Sequence, residues 1–182
     1  MTIKRYFLSL ILFFSLVVTA LAGGVGTWKN YLSYSDVQWV EEGSNKLYVL
    51  ASNSLYTYNK NDQSIKTYDK VNGLSDTDIR FIAWNKTARR LVIIYSNNNI
   101  DLLDDRGNVT NVPAYYLKTT MADKTVNGID MSGVYCYLST GFGLVKLNVV
   151  KAEISDSYNL SFPVNYSYIE GGYIYAASQS NG

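Results

Sequence analysis

Beyond residue 22 the hydrophobic positions fall in short runs of four to six residues rich in Val, Ile, Leu and Tyr, bounded by Gly, Asn, Asp or Ser. Such runs fit the pleated, half-buried surface of a β-strand, and no stretch sustains the 3.6-residue apolar period of a helix. The pattern predicts an all-β chain with helix nearly absent outside the leader.

Laid on itself, the chain repeats. Segments beginning at Asp36, Asp78, Thr125 and Pro163 align, and their second apolar runs start at Leu47, Leu91, Tyr135 and Tyr173, at intervals of 44, 44 and 38 residues. A period of about 40 to 45 residues with several short strands per unit is the signature of β-propeller blades. The innermost strands are expected at 37–40, 79–83 and 126–129, and the second strands at 47–51, 91–95 and 135–139. Third strands follow at 55–58, 100–103 and 144–147, and outermost strands at 65–68, 109–112 and 154–158. The fold expected is a partial β-propeller of four-stranded antiparallel blades, with three complete blades at about 36–76, 78–123 and 125–160 and the start of a fourth at 163–182.

The connections carry turn chemistry. Glu42-Gly43-Ser44-Asn45, Asn59-Lys60-Asn61-Asp62, Asp104-Asp105-Arg106-Gly107-Asn108 and Glu170-Gly171-Gly172 all read as hairpin tips. The loop Asn72-Gly73-Leu74-Ser75-Asp76 lies between an outermost strand and the next innermost one. Asn72 and Gly73 offer the backbone freedom for that crossing, and Leu74 is placed to pack between blades, so the loop reads as a blade joint. A propeller ring needs about 4 to 8 blades, so the repeat is expected to continue past Gly182. Residues 28–34 resemble an outermost strand whose partners lie elsewhere. A fragment with an uncovered blade face is expected to aggregate.

The first 22 residues stand apart from this repeat. Lys4 and Arg5, the apolar run 7–18 and the small residues Ala20-Leu21-Ala22 are the parts of an export signal, with cleavage expected between Ala22 and Gly23. The rival reading is a membrane anchor, but the apolar run is shorter than the ~20 residues that span a bilayer. The remaining 160 residues of the 182 then form one incomplete propeller domain, 23–182, with no transmembrane segment.

Without Lys4 and Arg5 the chain carries 14 basic and 15 acidic side chains, which gives no electrostatic footprint for nucleic acid. There is no histidine, which removes Ser-His-Asp and Cys-His nucleophile systems and the usual zinc ligand sets. The single cysteine, Cys136, sits inside a strand pattern and reads as a buried apolar residue. The 17 tyrosines suit packing between broad blade faces, with stacking on sugars as the functional alternative.

Candidate chemistry is sparse. Gly-rich 23–28 lacks the lysine and strand-to-helix setting of a phosphate loop. The run 104–108 lacks the ligand spacing of a calcium loop. Asp76, Asp78 and Asp101 lie far apart in the repeat, where a glycosidase needs two carboxylates at a set separation, and 85–90 reads as a solvated basic tip. No catalytic, cofactor-binding or metal-ligating residue is assigned.

The segment "NGLSDTDIRFIAWNKTARRLVIIYSNNNIDLL", with "TWKNYLSYSDV" and "VYCYLSTGFGLVKLNVVKAEISDSYNL", resembles the N-terminal propeller of the PorZ family of the type IX secretion system. It is also similar to the periplasmic propellers of hybrid two-component regulators, which share the Gly-Leu-Ser joint. It departs from them where they carry a tryptophan-containing second strand followed by Gly-Leu, since here the strands read "LYVLASNSLYTY" and "LVIIYSNNNIDLL". The PorZ resemblance implies a non-enzymatic binding and scaffold domain, at the cell surface or outer membrane, that serves secretion and attachment of cargo proteins. It also implies partners: other secretion-system proteins, including a surface sortase-type protease, and anionic lipopolysaccharide. The regulator resemblance implies a periplasmic ligand sensor, and a propeller enzyme acting on polysaccharide is the third class.

Overall fold

The structure is a computed structural model and describes residues 32–119 and 122–179. Ala22, Gly23 and residues 28–31 lie outside the described residues, as does the glycine-rich stretch 23–28.

Among the described residues, three four-stranded antiparallel sheets and one hairpin follow one another. The first sheet holds β1 (Val37–Glu42), β2 (Lys46–Ala51), β3 (Ser54–Asn59) and β4 (Ile65–Tyr68). The second holds β5 (Ile79–Asn85), β6 (Arg90–Tyr95), β7 (Ile100–Asp104) and β8 (Val109–Asn111). The third holds β9 (Val126–Ser132), β10 (Tyr135–Thr140), β11 (Gly143–Asn148) and β12 (Glu153–Asn159), and the hairpin pairs β13 (Tyr166–Glu170) with β14 (Tyr173–Ala177). In each full sheet spatial order equals chain order, the meander of a propeller blade. The partial β-propeller read from the repeat is the fold observed, and a single turn of helix, α1 (Ala114–Leu117), interrupts the joint between the second and third sheets.

The core lies between consecutive sheets. Tyr48, Leu50, Leu55 and Tyr68 of the first blade meet Ile82, Trp84, Leu91, Ile93, Tyr95 and Leu103 of the second. On the other face of the second sheet Val92, Ile94, Ile100 and Leu102 meet Val126, Cys136, Leu138, Val145 and Leu147 of the third. This explains why β6 is a continuous apolar run: both of its faces are covered, and Leu91 through Tyr95 are all at 0 % exposure. Full burial of each such side chain stabilises by about 1.5–3 kcal/mol. Cys136 is buried as expected, and burial pushes its thiol well above the ordinary range.

One detail of the repeat needs correction. Leu91 packs towards the first blade, but the residue that packs towards the second is Cys136 rather than Tyr135, so like positions there are 45 residues apart. The first strands already start 47 residues apart, at Ile79 and Val126, and the turn that follows is two residues shorter in the third sheet. Asn85 pairs with Arg90 across four turn residues and Ser132 with Tyr135 across two, which leaves 45 at the second strands.

Candidate functional site

The loop Asn72–Asp76 connects the first blade to the second, and the side chains of Asn72 and Asp76 and the N–H groups of Asn72, Leu74 and Ser75 are engaged within the fold. Asn72 Oδ1 accepts from the Asp69 N–H at 2.7 Å, and Asn72 Nδ2 donates to the Thr67 carbonyl at 3.1 Å. Gly73 takes φ +124°, a region closed to most side chains, and Leu74 is buried in the cluster between the two blades. The Ser75 N–H donates to Asp101 Oδ2 at 2.7 Å.

Asp101 is the centre of this joint. It is fully buried on β7, and besides Ser75 it accepts from Tyr95 Oη at 2.6 Å and Asn111 Nδ2 at 2.8 Å. Burial, reinforced by the bond to Asp101, holds the Tyr95 phenol far above its ordinary range. A buried carboxylate with three donors is satisfied; removing it strands the Ser75 N–H and the Tyr95 hydroxyl, while Asn111 Nδ2 keeps the Asn99 Oδ1 and Ile100 carbonyl acceptors at 3.0 Å. Asp101 is therefore brought to the loop, although 26 residues separate it from Ser75.

Asp76 and Asp78 also converge there. Burial raises the Asp76 carboxyl, but the Asn97 amide, the Thr77 N–H and Lys70 outweigh it and hold it below the ordinary range. The Asn53 amide and Ser96 hold Asp78 below that range, and the Thr125 hydroxyl and N–H do the same for Asp123. Each carboxylate is tied to the turn or strand start beside it. None is paired with another across an open cleft, as acid–base hydrolysis requires.

The first strands line a cavity of about 520 Å3 bordered by Gln38, Trp39, Glu41, Arg80, Asn127 and Tyr166, among others. The register slips at the same place in all three sheets: between Val37 and Trp39, between Ile79 and Phe81, and between Val126 and Gly128. The skipped residues are Gln38, Arg80 and Asn127, all bordering the cavity. A bulge re-aims the extra side chain, and sequence alone gives no sign of it beyond a polar residue second in each strand. Trp39 Nε1 donates to Glu41 Oε1 at 2.7 Å while Glu41 Oε2 accepts from the Trp84 N–H at 3.1 Å, so one carboxylate ties the indole to the second blade.

The remaining motifs are structural. The tip 85–90 is not simply solvated: Asn85 is fully buried and donates to the Gly133 carbonyl of the third blade at 3.1 Å, and Arg90 reaches the Val149 carbonyl at 3.0 Å. Asp104 accepts from the N–H groups of Arg106 and Asn108 at 2.9 and 2.8 Å, which shapes the tip 104–108. Among the described residues no group of three His, Cys, Asp or Glu is arranged to hold a metal ion. Nor, among them, is any helix long and apolar enough to cross a membrane.

A family model described as the type IX secretion PorZ N-terminal β-propeller domain matches residues 47–182. The structure of PorZ from Porphyromonas gingivalis, an essential bacterial surface component of the type IX secretion system, is similar at 36% identity and TM-score 0.71, over 76% of this chain and 19% of that one. The chain thus spans about a fifth of the length of that relative. The extracellular domain of BT4673 from B. thetaiotaomicron, assigned to a one component system, shares the fold at 17% identity and TM-score 0.60, over 84% of this chain and 21% of that one. AztD from Citrobacter koseri shares it at 14% identity and TM-score 0.60, over 78% of this chain and 41% of that one. No curated protein matches the chain. A blade meander in the expected order, the family match over most of the chain and the PorZ likeness agree: the chain belongs to the PorZ N-terminal β-propeller domain family.

Proposed function

We propose that the chain is a non-enzymatic binding and scaffold domain of a cell-surface component of the type IX secretion system, serving secretion and attachment of cargo proteins. The observation that carries this reading is the PorZ likeness, 36% identical over 76% of the chain. The joint adds to it, because the carboxylates that sequence offers for catalysis are engaged in holding blades together. The partners in this reading are other secretion-system proteins, a surface sortase-type protease among them, and anionic lipopolysaccharide. An export signal ending at Ala22–Gly23 would deliver the chain, and a further blade would cover the exposed tyrosines Tyr166, Tyr168, Tyr173 and Tyr175.

Deleting the full gene tests the reading. Cargo proteins are expected to lose surface attachment and to regain it on complementation. Normal attachment in the deletion strain would overturn the proposal.

A further inference from the structure

The cavity among the first strands holds a cationic group that, among the described residues, the fold leaves without a hydrogen-bond or ion-pair partner. Of the three bulged side chains, Gln38 exchanges hydrogen bonds with Asn53 at 2.7 and 2.9 Å, and Asn127 donates to the Val164 carbonyl at 3.0 Å. Arg80 is exposed, and among the described residues its guanidinium makes no hydrogen bond and no ion pair. Its neighbours are the Phe81 ring, 5.4 Å away, and the more distant charge of Asp123. Glu41, the acidic side chain on this lining, is engaged with Trp39 and Trp84.

The Trp39 indole is 58% exposed, yet its Nε1 is fixed by Glu41. A flat aromatic face held in place loses little freedom when something stacks on it. A guanidinium presents a planar fork of donors that matches a carboxylate. The volume, about 520 Å3, is of the size that takes a small ring compound.

We propose that this cavity binds a carboxylate-bearing ring, with the carboxylate on the Arg80 guanidinium and the ring face on the Trp39 indole. A bare anion would engage Arg80 and leave the indole uncovered. A neutral ring would cover the indole and leave the guanidinium without its partner. Both a sugar acid and an aromatic acid carry the required chemistry.

The test is calorimetric titration of the full chain with glucuronate, benzoate, their neutral counterparts glucose and benzyl alcohol, and inorganic phosphate. At least one ring acid is expected to bind about tenfold more tightly than its neutral counterpart and than phosphate, a preference that R80Q removes and R80K partly restores. W39A should weaken the ring acid about fivefold while W39F keeps most of the affinity. Glucuronate alone assigns the site to sugar acids, benzoate alone to aromatic acids, and either result supports the proposal. Equal binding of acid and neutral ring, phosphate binding as tightly as the acids, an unaffected R80Q, or no acid binding up to about 10 mM would each overturn it. All four variants alter exposed side chains, and an unchanged thermal transition verifies their fold. The assay is independent of cargo attachment, so its failure leaves the secretion reading standing.

Discussion

The second sheet and the β13–β14 hairpin come from the same repeat, yet they differ in what surrounds them. In the second, β6 is buried on both sides and every residue from Leu91 to Tyr95 is at 0 % exposure. In the hairpin, Ser167 meets Ser139 of the third blade, while Tyr166, Tyr168, Tyr173 and Tyr175 are exposed by 74, 57, 70 and 57% on the other face. Neighbours on both sides turn an apolar run into core, and a blade with one neighbour remains half a surface. Stability should therefore rise steeply from the hairpin to the second sheet.

The largest expected effect is at the covered end. Ile93→Ala should cost about 3–4 kcal/mol in chemical denaturation, since the cavity it leaves lies between two packed sheets. Asp101→Ala follows at about 3 kcal/mol, because Ser75, Tyr95 and Asn111 lose their shared acceptor. Gly128→Ala probes the other region: a Cβ there would lie 2.8 Å from the Asn165 carbonyl oxygen. It should cost about 1–3 kcal/mol and raise hydrogen exchange in β13 while leaving β6 unchanged.

Acid should act on the joints next. Asp76, Asp78 and Asp123 have folded pKa values below the ordinary carboxylate value of about 4, so the stability they confer is present above that pH and is lost as pH falls through the folded values. Thermal melts from pH 6 down to pH 3 should show a falling midpoint that Asp78→Asn blunts. Tyr168→Ala is the smallest effect, within about 0.5 kcal/mol, because its ring lies on the uncovered face. A large loss there would show that the chain covers that face itself.

Sequence made the blades legible because each strand is a local run and each tip a local turn. Residues 65–68 form a strand with those bounds, and most other strands extend the expected range by one to three residues. What stayed hidden depends on contacts between distant residues. Asp101 sits in an ordinary third strand, and only the fold brings it under Ser75. Glu41 joins Trp39 to Trp84 across 43 residues, and the bulges at Gln38, Arg80 and Asn127 exist only in the pairing of strands. Of the expected outermost strand at 28–34, only 32–34 is described; it is not a strand, and Tyr34 stands edge-on to Tyr56 with ring centroids 5.7 Å apart. The helical turn α1 lacks any sustained period because it spans four residues.

The joint is where architecture and candidate chemistry compete for the same residues, and the Ser75 amide separates them. Its N–H is bound to a fully buried carboxylate, so in native-state hydrogen exchange it should open only with β6 and β7, at the protection of the second sheet. Exchange at the rate of an exposed loop would contradict the account, since Asn72–Asp76 would then be a free surface loop and Asp101 would be held by Tyr95 and Asn111 alone.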